Sequence, residues 1–226
     1  MSLLLHEAVA PDYTVRQVNQ EKQAMRVIVI GGTGTIGRAV VKALSAKHEV
    51  VAVGHQKGAF QVDLASPDSI TRLFKAISTC DAVVSTAGIA KFASLDDLSY
   101  EDYFVGLNNK LMGQVNLVRI GRAFATDRGS FTLTSGVLSQ EPIKGSASIS
   151  MVNAGLEGFV RAAALELPRG LRINVVSPPW VTETLIARGM DPSIGLPAER
   201  VAQAYVASVQ GTLTGQVFDP REIAAS

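Results

Sequence analysis

The chain has one cysteine, Cys80, so no internal disulfide can form, and its place between an expected helix and an expected strand makes it a packing residue rather than a nucleophile. Histidine is equally scarce. His6, His48 and His55 share no spacing with cysteines or carboxylates that would gather a metal ion, nor with a serine that would need a base, so no metal site is expected. Charge of one sign is missing as well: 21 basic against 20 acidic residues leave +1, without the dense basic run that nucleic acid or an anionic membrane would require. No apolar run reaches the roughly eighteen residues of a membrane span, and MSLLL at the start lacks the basic flank and small-residue site of a secretory signal. These absences leave a cytoplasmic protein whose partner is a small-molecule substrate, with neither nucleic acid nor membrane involved.

What is present is apolar residue in quantity. At 226 residues and 47% hydrophobic, the chain is long enough for one sizeable core. Residues 1–25 are polar and weakly periodic after MSLLL and read as a peripheral or disordered extension, so the domain is expected over 26–226. There RVIVI (26–30), EVVAV (49–53), DAVVS (81–85), FTLT (131–134), RINVVS (172–177) and GQVF (215–218) have the β-branched, continuous apolar character of strands buried on both faces. Helical spacing follows each of the first five, over 35–46, 67–78, roughly 100–125, from about 148, and over 197–209. Strands alternating with helices require right-handed crossovers and parallel pairing, which predicts a single-domain α/β fold, a doubly wound parallel sheet with helices on both faces.

The first motif with chemical content is GGTGTIG, residues 31–37, between the first strand and the first helix. Glycines there let backbone amides and a helix N-terminus approach a phosphate, so Gly31, Thr33, Gly34, Thr35, Ile36 and Gly37 are expected to hold a dinucleotide. An NAD site commonly carries a carboxylate at the end of the second strand to bind the ribose hydroxyls. Here that place reads Gly54, His55, Gln56, Lys57. With no acid to repel a 2′-phosphate and with cationic character nearby, the expected cofactor is NADP rather than NAD, contacted by His55 and Gln56.

At this point the chain resembles the short-chain dehydrogenase/reductase family, through GGTGTIG, Asp63-Leu64, STAG (85–88), INVVSPP (173–179) and TGQVF (214–218). The resemblance implies a Rossmann-like fold and an oxidoreductase acting on a small carbonyl or alcohol by hydride transfer. It also implies that Asp63 and Leu64 flank adenine, that Thr86, Ala87 and Gly88 lie beneath the cofactor, and that Pro178 to Val181 pass the nicotinamide carboxamide.

The family's chemistry uses a tyrosine and a lysine four residues apart, with a serine and an asparagine. Anchoring on NAGLEGFVRAAALEL puts Ile149 at the tyrosine and Asn153 at the lysine. Isoleucine has no proton to exchange, while asparagine can bind ribose hydroxyls but supplies no charge. Ser135 matches the serine, one residue farther from position 149 than usual. Aligning Gly113 with a family glycine puts Lys110 at the asparagine, beside Asn109. Either Lys110 enters the site and has taken over proton or electrostatic duty, or Asn109 fills the role through a local helix irregularity and Lys110 reaches solvent. The catalytic set is therefore Ser135, Lys110 and Asn153. Two functions remain open: an NADP(H)-dependent oxidoreductase with a reassigned proton donor, or an NAD(P)-binding protein without redox turnover.

Two further expectations concern surfaces. Trp180 and Met190 are placed to line a small apolar pocket or to pack on the sheet. The helices over 106–125 and 148–167 carry Leu111, Val115, Leu117, Val118, Phe159, Ala162 and Ala163 around much of their circumference, which suggests a homodimer or homotetramer unless a monomer buries them.

Overall fold

The computed structural model describes residues 24–223. The expectation for residues 1–23 lies outside them. Among the described residues seven parallel strands run β1 (Arg26–Ile30), β2 (Glu49–Gly54), β3 (Phe60–Gln61), β4 (Cys80–Ser85), β5 (Ala125–Thr134), β6 (Arg172–Val176) and β7 (Val217–Phe218), in the spatial order β3-β2-β1-β4-β5-β6-β7. The helices are α1 (Thr35–Ser45), α2 (Pro67–Ile77), α3 (Tyr100–Gly106), α4 (Met112–Gly121), α5 (Ala147–Ala163), α6 (Thr182–Ala187) and α7 (Ala198–Gln210).

Strand side chains alternate between the two faces, and each face has its own core. Ile28, Ile30, Val83, Phe131, Leu133 and Ile173 pack with Phe74 of α2, Leu117 of α4 and Val152, Leu156 and Val160 of α5. Val27, Val29, Ala82, Val84 and Val176 pack with Val40 and Leu44 of α1 and with Val201, Ala204 and Tyr205 of α7. The sheet is thus covered on both sides, as the apolar runs required. Strand order reverses between β1 and β4, which opens a crevice at the carboxyl ends of the strands where ligands of such sheets bind.

Four local features differ from the sequence reading. Edge strand β3 is two residues long and has no apolar run to announce it. Strand β5 begins at Ala125 rather than Phe131, because its first half, ATDRGS, is polar and pairs across a register shift between Cys80 and Ala82. The helix expected over 100–125 is broken by a π-helical segment, Leu107–Leu111. A short helix, α6, occupies the stretch between Trp180 and Pro197. Of the apolar residues on the two long helices, Leu117 and Val118 are buried in the core, and Leu111, Phe159 and Ala163 pack against it, so much of that coverage is used within one chain. Among the described residues no helix is long and apolar enough to cross a membrane.

Candidate active site

The glycine loop joins β1 to α1. Gly31 has a left-handed φ of 80°, and Gly37 sits so close beneath it that a Cβ there would lie 2.0 Å from the Gly31 carbonyl oxygen. No side chain caps α1 at Gly34, so its first-turn amides are left for a ligand. Beside the loop opens a cavity of about 590 Å³. It is lined by nine of the expected cofactor residues: Gly31, Thr33, Gly34, His55, Asp63, Leu64, Thr86, Ala87 and Gly88. Gly54 and Asn109 line it too. Gln56 does not; its carbonyl accepts from Gln61 Nε2 at 3.3 Å. Thr35 and Gly37 do not line it either; both lie in the first turn of α1. A glycine cradle that a Cβ would fill, uncapped helix amides and a roomy cavity are features that suit a dinucleotide.

A second cavity of about 230 Å³ contains Lys110, Ser135, Ile149 and Asn153 together. It also takes in Ile36, Pro178 and Val181 from the expected cofactor set. Of the two residues placed either to line a pocket or to pack on the sheet, Trp180 lines this cavity and Met190 does not. The rest of its wall is mainly apolar and includes Phe92 and Leu138, neither of which the sequence reading had singled out.

The π segment decides how α3 and α4 reach this cavity. Adjacent residues of a regular helix point about 100° apart, and a widened turn shifts that phase by an extra residue. The helix irregularity is present, and Lys110 nevertheless points into the site rather than to solvent. Asn109 Oδ1 accepts from the Ile89 amide at 2.9 Å, over the cofactor cavity. Lys110 turns inward, where its Nζ donates to the Ser135 carbonyl at 2.9 Å and to Asn153 Oδ1 at 2.7 Å. The Lys110 carbonyl accepts from Gln114 Nε2 at 3.2 Å, and Gln114 is itself anchored to Thr134 of β5. The stem of Lys110 passes over Gly88, where a Cβ would meet its Cγ at 2.6 Å. Although the residue keeps some exposure to the cavity, burial of its ammonium lowers the Lys110 pKa from 10.5 to about 8.

Ile149, Asn153 and Glu157 form one line along α5 at four-residue spacing. Asn153 is buried, with Nδ2 donating to the Gly136 carbonyl at 3.2 Å; it retains one N–H and one lone pair for a ligand. Glu157 was missed by the sequence reading, although its spacing from Asn153 was there to be read. Its carboxylate, 1% exposed, accepts from Ser135 Oγ at 3.1 Å, Ser139 Oγ at 2.5 Å and Gln140 Nε2 at 3.2 Å. Among the described residues the Thr182 hydroxyl, next in the chain to the cavity-lining Val181, is buried without a partner.

A family model described as enoyl-(acyl carrier protein) reductase matches residues 29–225. The chain belongs to the short-chain dehydrogenase/reductase family. The 3-oxoacyl-[acyl-carrier-protein] reductase MabA of Mycobacterium avium is 30% identical over 208 residues, 83% of this chain and 80% of that protein. Among solved structures, the protein lin1944 from Listeria innocua superposes with a TM-score of 0.83 at 39% identity, covering 87% of this chain and 99% of that one. A small-chain dehydrogenase in complex with NADPH superposes with a TM-score of 0.76 at 26% identity, covering 87% and 96%.

Lys110 of the π-helical segment and Asn153 of α5 thus face each other and are hydrogen-bonded.

Proposed function

We propose that the chain is an NADP(H)-dependent oxidoreductase acting on a small carbonyl or alcohol substrate, with Lys110 as the proton donor. The observation that carries this reading is the Lys110 ammonium, held at the mouth of the Ser135–Asn153 pair with one N–H still undirected and a pKa lowered to about 8. Bound along the glycine loop, the dinucleotide would supply the hydride. Lys110 then delivers a proton to the oxygen of a substrate lying against Ile149, and Asn153 holds Lys110 in place while offering its remaining N–H to the nicotinamide ribose. The apolar wall, with Phe92, Leu138 and Trp180, keeps water from the reacting carbon and selects a small substrate with an apolar body. NADP is favoured by the absence of a carboxylate from Gly54 to Lys57 and by the NADPH held by a relative of this fold.

Fluorescence titration tests the cofactor half of this reading. NADPH is expected to bind at least about tenfold more tightly than NADH, the scale of one charge-assisted contact to the 2′-phosphate; no binding of either contradicts it. Ile149, standing where the family has its proton donor, favours one other reading, a cofactor-binding protein without turnover. Tight NADPH binding with no oxidation across a broad panel of ketones and aldehydes would establish that instead.

A further inference from the structure

Glu157 is a buried carboxylate with three neutral donors around it and no ion pair among the described residues. Its carboxylate oxygens accept from all three groups, so each of them directs a proton at it. For Ser135 this has a chemical consequence. Its other neighbour within reach, the Val176 carbonyl at 3.5 Å, is also an acceptor, so both protein partners draw the hydroxyl proton away from the cavity that Ser135 lines. What Ser135 offers the cavity is lone pairs.

We propose that Glu157 is a positioning residue that fixes Ser135 as a hydrogen-bond acceptor toward the substrate, so that this site holds a hydroxyl group in preference to a carbonyl. An alcohol donates its O–H to Ser135 Oγ while its oxygen accepts from Lys110 Nζ. A ketone can only accept, and Ser135 is left without a partner on that side. The preferred ligand class is thus a small secondary alcohol with an apolar body. The inference rests on the proposed function only in placing the reacting oxygen in this cavity.

Cyclohexanol and cyclohexanone serve as a matched pair of probes, with affinities for the full chain without cofactor read by ligand-observed saturation-transfer NMR. One hydrogen bond predicts a preference of about five- to tenfold for cyclohexanol. In Glu157→Gln the new amide donates to Ser135 Oγ and frees its proton for the cavity, so the preference falls to about one or inverts. Ser135→Ala, which leaves the Ser139 and Gln140 bonds of Glu157 in place, removes the preference as well. If Glu157 only tied the loop to α5, Glu157→Gln would lower the thermal midpoint and leave the ratio as it was. An unchanged ratio in that variant, equal affinities in the native chain, or no binding of either probe overturns the proposal. Neither dinucleotide nor turnover enters the assay, so a failure of the proposed function in NADPH titrations is read separately.

Discussion

Replacing Lys110 with methionine is expected to slow NADPH oxidation on a carbonyl substrate by about 10²- to 10⁴-fold, the contribution of a well-placed general acid. Methionine keeps an unbranched apolar stem over Gly88 and removes the ammonium. Asn153 and the Ser135 carbonyl each lose the donor they share, and no neighbouring group replaces it: Ile149 carries no proton and Ser135 directs its own toward Glu157. NADPH still binds, because the glycine loop and the adenosine side of the crevice do not involve Lys110. Introducing a tyrosine in the native chain, Ile149→Tyr, leaves turnover in place, since Lys110 already meets the need. Stopped-flow absorbance of NADPH checks both variants, and equal rates in Lys110→Met and the native chain would remove Lys110 from the chemistry.

Gly37→Ala is expected to abolish tight dinucleotide binding. Its Cβ would lie 2.0 Å from the Gly31 carbonyl oxygen and 2.7 Å from the carbonyl carbon, both backbone atoms with no rotamer to yield. The loop or the first turn of α1 must then move. Such overpacking costs about 1–3 kcal/mol of stability. Losing two charge-assisted contacts to the phosphates, at about 1.5–3 kcal/mol each, lowers affinity by roughly a hundredfold or more. Gly158→Ala is the matched control: nothing lies within 4 Å of its Cβ on the exposed side of α5, and removing a mid-helix glycine stabilises by about 0.5–1 kcal/mol. Fluorescence titration with NADPH and a thermal melt distinguish the two; near-native affinity in Gly37→Ala contradicts the assignment of the loop.

The fold was legible because its signals are dense and repeated. Val27 through Ile30 are buried on both faces, so the strand announces itself as an unbroken apolar run, and the glycine loop needs a spacing that side chains cannot supply. The site was legible only in part. Alignment of residue types put Lys110, Ser135, Ile149 and Asn153 in one place, and the cavity contains all four. Whether Lys110 pointed inward could not be read from helical periodicity, because the π segment changes the phase of the helix at that point and brings Asn109 and Lys110 into use together. Glu157 was passed over for a different reason. In an apolar, small-residue helix a lone glutamate reads as a solvated charge, and only the loop Gly136–Gln140, folded back over α5, buries it against Ser135 and Ser139. The four-residue spacing from Asn153 puts Glu157 on the same helix face, but the loop that buries it leaves no mark in the helix's own sequence.

The central claim is that the proton donor of this site is Lys110, delivered from the π-helical segment, with its pKa lowered to about 8 by burial. Its most direct test is the pH dependence of turnover in the direction of carbonyl reduction. Because the protonated form of Lys110 is the acid, the rate should be level below about pH 8, where the ammonium is intact, and should fall about tenfold per pH unit above it as the proton is lost. A rate that stays level from pH 7 through pH 10, well past the lowered pKa of Lys110, would contradict the account.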